Sequence, residues 1–210
     1  DSLREERVMS LKTRFGNLKN VLDQDSSQTE IIVLESPFIA NGEFAELLRQ
    51  FGQSVGVIDC TFPRDGGTEA LKLALDRIRS EAEDAVRSGA SHIVLTDEHQ
   101  GVDRIGIPMI LGTSAVHSWL TRKGLRTFCS INVRAAECIA PHYFAVLIGA
   151  GATTVNPYLA EDSIADRIER GLLDATLMEA MRNYRHAIDL GLLKICLLYT
   201  SPSPRDRTRS

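Results

Sequence analysis

Short β-branched runs alternate along this chain with amphipathic stretches that end in glycine, and no other feature constrains the fold as tightly. Each pair reads as a βα unit, and a series of such units demands a mostly parallel sheet covered by its own crossover helices. The first run is Ile31-Ile32-Val33-Leu34, followed by a helix that Asn41 can cap, with Phe44, Leu47, Leu48 and Phe51 on one face. Val55 to Ile58 leads to a long helix capped by Thr68, with Leu71, Leu75, Ile78, Ala82 and Ala85 inward and Gly89 as its left-handed stop. Ser91 to Thr96 is the third strand. Pro108 opens a helix bearing Ile110, Leu111, Ala115 and Leu120, closed by Arg122, Lys123 and Gly124. The fourth strand spans about Thr127 to Val133, a helix covers 143–148, and Ala152 to Val155 is a short fifth strand. Helices over about 160–172 and 174–190 complete the pattern. About five βα units are too few for a closed eight-stranded barrel. The expected fold class is therefore α/β, an open sheet or part of a barrel, with additional C-terminal helices.

Composition narrows the function classes. Aromatic residues make up 6% of the chain and the net charge is −4, which leaves no basic footprint for a phosphate backbone and argues against nucleic acid. No apolar run is long enough to span a membrane. Cys60, Cys129, Cys138 and Cys196 form no C-x-x-C pair and no secretory signal opens the chain, so a cytoplasmic setting is expected. Cys60 and Cys129 lie in apolar runs, where a thiol packs as a small hydrophobe. From Cys196 to Ser210 the pattern breaks into Ser-Pro-Ser-Pro and Arg-Asp-Arg-Thr-Arg-Ser. That stretch is expected to be disordered and not to continue the last helix; it resembles translated sequencing-adapter DNA and is set aside as non-native.

Ligands of α/β sheets bind beyond the carboxyl ends of the strands. The residues placed there are Glu35-Ser36-Pro37, Asp59-Cys60-Thr61, Thr96-Asp97-Glu98-His99, Arg134 to Glu137, and Asn156-Pro157. Carboxylates around His99 could hold a hard metal or form an acid/base pair, but no H-x-x-x-H spacing accompanies them, and capping of nearby helices is the better reading. Gly149-Ala150-Gly151 follows a helix and precedes a strand, the reverse of a dinucleotide fingerprint, and reads as a turn. Gly66-Gly67-Thr68 lacks a phosphate-loop lysine. His117 faces partly inward, with Ser114 and Ser118 pointing elsewhere, and His142 and His186 have no ligand partners at metal spacing. No catalytic, cofactor-binding or metal residue is assigned. The apolar helix at 143–148 carries Tyr143, Phe144, Val146, Leu147 and Ile148 on more than one face, which fits either an opened interface or burial in the domain's own core.

Longer strings carry a family resemblance. DSLREERVMSLKTRFGNLKNVLD at 1–23, LESPFIANGEF at 34–44, IPMILGTSAVHSWLTRKGLRT at 107–127, PHYFAVLIGAGATTVNPYLAEDSI at 141–164 and NYRHAIDLGLLKI at 183–195 resemble, in order, the central domain of the glutamate synthase large chain. The resemblance covers 1–195. Three places depart from it: Thr96-Asp97-Glu98 stands where many relatives carry Ser-Asp-Arg, a His-rich helix position is reduced to His117-Ser118-Trp119, and Arg134 and Ile139 stand where the family often has Glu and Arg, a possible ion pair remade.

The resemblance implies a domain related to a flavin barrel but without flavin. It would link a glutaminase domain to an FMN-binding barrel with an iron-sulfur cluster, in an enzyme making two glutamates from glutamine and 2-oxoglutarate through an ammonia tunnel. The partners implied are those domains of the same polypeptide and a small electron-donating subunit. FMN and the cluster would lie outside this chain, leaving it inactive alone, and the electron donor stays open between NADPH, NADH and ferredoxin. The residues by themselves also allow a self-contained α/β enzyme that binds a phosphorylated or carboxylate ligand near Glu35, Asp59 and Asp97.

Overall fold

A computed structural model of the chain describes residues 9–19 and 31–200, with side chains to residue 196. The β-branched runs form a four-stranded parallel sheet of β3 (Val55–Asp59), β5 (His92–Thr96), β7 (Ser130–Arg134) and β8 (Thr154–Asn156), side by side in that order. Beyond β8, Phe38 makes a single parallel bridge to Val155 and takes the place of a fifth strand. Successive strands thus add in chain order as in a barrel, but among the described residues the sheet does not close.

The first β-branched run is a correction to the sequence reading. Residues Ile32–Leu34 (β2) pair antiparallel with Thr13–Phe15 (β1) in a separate ribbon. Its side chains explain why: Ile32 and Val33 stay exposed, whereas Phe38 and Ile39 are buried. A second ribbon, β4 (Thr61–Pro63) with β6 (Arg104–Gly106), overlies the end of β3 and carried no strand signal because its segments are so short.

Six helices accompany the described strands: α1 (Asn41–Phe51), α2 (Gly67–Arg87), α3 (Met109–Arg122), α4 (Pro141–Gly149), α5 (Tyr158–Glu169) and α6 (Leu177–Thr200). Crossover handedness assigns their faces. Steps from β3 through β5 and β7 to β8 run one way, so right-handed connections put α2, α3 and α4 on one face. The step from Phe38 back to β3 runs the opposite way, which sends α1 to the other face. The two cores follow this division: Ile93 and Leu95 of β5 pack with Ile78, Val116 and Phe144, and Val94 packs with Phe44, Leu47 and Phe15. α6 closes the first core through Ile188 and Leu192.

The helix boundaries bring further corrections. Asn41 does not cap α1; the backbone N–H of Ala40 is bonded by Glu43 at 2.8 Å, and Thr68 lies inside α2, whose cap is Gly66. Gly89 and Gly124 do terminate helices with positive φ, 99° and 69°. α6 runs to Thr200, past the expected break at Cys196, because the first helix-breaking residue is Pro202. The expected disorder of the tail beyond residue 200 lies outside the described residues. Phe144 belongs to the internal core: it is fully buried and stacks on Phe38 with ring centroids 5.7 Å apart.

Candidate functional site

The carboxyl ends of the parallel strands gather two adjoining polar clusters. At the end of β3, the Asp59 carboxylate accepts the Thr61 backbone N–H at 2.9 Å and hydroxyl at 3.0 Å, an Asx-type turn that starts β4. Arg104, from β6, donates to Asp59 at 3.0 Å and to the Thr61 hydroxyl at 2.8 Å. Arg77 of α2 donates to the Asp59 carbonyl at 2.7 Å. His99 stands exposed 3.7 Å from Asp59.

The second cluster centres on Arg134, at the end of β7. Its guanidinium lies between the rings of Phe44 and Tyr158, 5.0 and 4.8 Å from their centroids, and donates to Asn156 at 2.6 Å and Glu98 at 2.7 Å. Arg134 holds the Glu98 carboxyl below the usual carboxylate range. Beside it, buried Asp97 accepts the Ala136 backbone N–H at 3.1 Å and the Tyr158 hydroxyl. Burial nevertheless raises the Asp97 pKa, and also that of Glu161, which accepts the Asn41 backbone N–H at 3.0 Å. Glu137 accepts the Met109 N–H at 2.6 Å, capping α3 from a different βα unit.

The strand-tip carboxylates therefore serve as turn formers, caps and partners of arginine. The structure brings together Asp59 with His99, and Asp97 and Glu98 with Arg134 and Asn156. It does not bring Glu35 among them. Glu35 ends the β1–β2 ribbon, exposed and 3.6 Å from Lys12. Two of the departures from the family strings meet in one contact, Glu98 with Arg134, while Ile139 is 61% exposed. In this chain Arg134 pairs with Glu98. Two groups of this site, Arg77 and Arg104, carried no sequence signal, and Asn41, read as a helix cap, instead accepts the Asn156 amide N–H at 3.0 Å; each reaches the strand tips from a distant part of the chain.

The remaining candidates fall into structural positions. Burial pushes the Cys60 thiol up to about 12 and Cys129 to about 11, and raises Cys138 further, so these thiols stay protonated near neutral pH. His117 Nδ1 accepts the Arg126 Nε–H at 3.0 Å, which commits the ring to Arg126 rather than to Ser114 or Ser118. Gly151, with φ 116°, makes the turn from α4 to β8 directly against the His117 ring. His142 and His186 are exposed. Among the described residues no group of three or more His, Cys, Asp or Glu side chains could hold a metal ion, and no helix is long and apolar enough to cross a membrane.

Comparison with known proteins adds a family to this geometry. A family model described as the glutamate synthase central domain matches residues 1–197. The large chain of glutamate synthase [NADPH] from Azospirillum brasilense is 59% identical over 93% of this chain and 13% of its own length. A ferredoxin-dependent glutamate synthase from Pyropia yezoensis is 35% identical over the same shares. Glutamate synthase [NADH] from Saccharomyces cerevisiae is 33% identical over 93% of this chain and 10% of its own. The chain thus spans a small part of the length of the relatives it matches.

Proposed function

The chain belongs to the glutamate synthase central domain family, and from that premise we propose that it is the noncatalytic connecting domain of a glutamate synthase large chain. In this role it joins a glutaminase domain to an FMN-binding barrel and supports the passage of ammonia between them. The reactants are glutamine and 2-oxoglutarate, the setting is cytoplasmic, and a small subunit delivers the electrons. FMN and the iron-sulfur cluster belong to other parts of that polypeptide. Residues 1–195 form the domain, and 196–210 are read as a non-native tail.

One observation carries the noncatalytic reading: the strand-tip groups are engaged with one another. Asp59 is held by Thr61 and Arg104, Asp97 by the Ala136 backbone, and Arg134 by Asn156 and Glu98. A site for a phosphorylated or carboxylate ligand requires positive or donor groups still available to it. The rival reading, a self-contained enzyme, is disfavoured for this reason.

A chimera tests the proposal. In the Azospirillum large chain, the matching segment is replaced by residues 1–195 of this chain. The expected result is retained glutamine-dependent glutamate formation, with no flavin bound by the 210-residue chain alone. Stoichiometric flavin on the lone chain, saturable glutamine hydrolysis by it, or a chimera that forms no glutamate would overturn the reading.

A further inference from the structure

The ribbon of β1 and β2 leaves a strand edge unused. Among the described residues β2 pairs with β1 alone, and an apolar groove of about 750 Å³ runs beside it, with α1 and α6 as its other walls. Ile32, Val33 and Leu34 all line this groove. Successive side chains of a strand point to opposite faces, so a groove lined by three strand residues in a row meets the strand edge-on. Buried Phe15, Ile39 and Leu47 make its apolar floor. Gly42 of α1, where a Cβ would meet no atom within 4 Å, leaves the helix wall open.

The charges around the groove are unequal. Among its described lining, Glu35, Glu43, Glu46 and Asp189 stand against one base, Arg185. Arg185 is committed to Glu43 at 2.8 Å and to the Phe38 carbonyl at 2.9 Å, and Asp189 accepts the Ser36 hydroxyl at 2.5 Å. Glu35 and Glu46 meet Lys12 and Arg49 only in exposed pairs, which hold weakly against a competing cation. An unpaired strand edge beside a helix, with an apolar floor and an acidic rim, fits an extended segment that adds its backbone to the edge and turns its side chains alternately to floor and rim. We propose that this groove binds the extended tail of a partner protein in which apolar residues alternate with lysine or arginine. The apolar residues reach Phe15, Ile39 and Leu47, and the basic ones reach the carboxylates. This partner is a second protein, so the proposal stands apart from the connecting-domain reading. A second copy of this chain offers only a two-stranded ribbon, whose β1 would meet α1.

A short capped peptide of alternating valine and lysine is the probe, titrated into the 210-residue chain while amide hydrogen exchange is followed over 32–35. The expected result is one-to-one binding, at least tenfold tighter than that of a valine–glutamate peptide, with the amides of 32–35 exchanging at least fivefold slower. Neighbouring N–H groups of an extended chain point to opposite sides. N-methylation of the alternate set that faces β2 should therefore weaken binding at least tenfold, and methylation of the other set less than threefold. Gly42→Gln, which fills the open helix wall, should weaken binding at least tenfold and Gly42→Ala should not, with circular dichroism unchanged in both. No binding, equal binding of the valine–glutamate peptide, or no loss from either methylated set overturns the proposal. Amides of 32–35 that are slow in the lone chain and unaltered by the peptide show the edge covered by the chain itself and overturn it. Slowing that grows with protein concentration assigns the edge to a second copy and overturns it as well.

Discussion

Phe144→Ala tests the packing of α4 into the core. Phe144 is fully buried, stacks on Phe38 at an interplanar angle of 5°, and shares its core with Leu147, Ile188 and Leu192. Truncating a phenylalanine in such a place costs about 3–5 kcal/mol, from lost transfer free energy and the cavity left behind. Against a typical stability of about 5–15 kcal/mol, that is roughly a fifth or more of the total. At roughly 2–4 °C per kcal/mol for a domain of this size, the melting temperature should fall by about 6–20 °C. Urea unfolding at 25 °C followed by circular dichroism measures the loss directly, with an unchanged slope showing that the denatured state is unaffected. Phe128→Ala, at a position 39% exposed, is the control. Its cost should stay below about 1 kcal/mol. A double-mutant cycle with Phe38→Ala should return about 0.5–1.5 kcal/mol of coupling. A loss at Phe144 below about 1 kcal/mol, or better solubility without lost stability, would refute its placement in the core.

Three other outcomes follow from named contacts. Gly151→Ala combines a φ of 116° with a Cβ driven into the His117 ring, so it should destabilise by more than about 2 kcal/mol in the same urea assay, and an effect under 1 kcal/mol would contradict the turn. His92 is 2% exposed between Phe15 and Phe51, and burial pushes its pKa down to about 4. The unfolded chain takes up that proton near 6.5, so this contribution is intact above pH 6.5 and about 3 kcal/mol is lost as the pH falls toward 4. Asp97, Glu161 and Asp189 act in the opposite sense, since their raised values favour the fold on the acid side and lose that contribution as the pH rises through them. Comparing His92→Leu with the unaltered chain at pH 7 and 4.5 isolates the histidine; parallel pH profiles would rule it out. Arg134→Ala removes a stacked, multiply bonded guanidinium and should cost about 2–4 kcal/mol, whereas Glu98→Gln, on the exposed side of the pair, should cost at most about 1 kcal/mol by thermal or urea unfolding. Equal costs would show that the ion pair, not the stacking, holds the site.

Local chemistry in the sequence determined the α/β class, four of the parallel strands, the helices between them, and the glycine stops at 89 and 124. These depend on side-chain period and on φ preferences, which neighbouring residues settle among themselves. The long strings also carried the family, which the family match at 1–197 confirms. Tertiary structure decided which β-branched run enters the sheet. Ile32–Leu34 and the segment at Phe38 are both apolar, and only the bridge from Phe38 to Val155 and the burial of Phe38 distinguish them. It also decided the fate of the charges. Arg134, Glu98, Asn156 and Asn41 are scattered through the chain, and their bonds exist only because parallel pairing aligns the ends of β5, β7 and β8. The same holds for α4, whose pattern is apolar all round. Packing against Phe38 buries Phe144 on one side and leaves Ala145 and Ile148 partly buried, lining an apolar groove on the other. A hydrophobic side chain states that it avoids water; which neighbour shields it is settled by the rest of the fold.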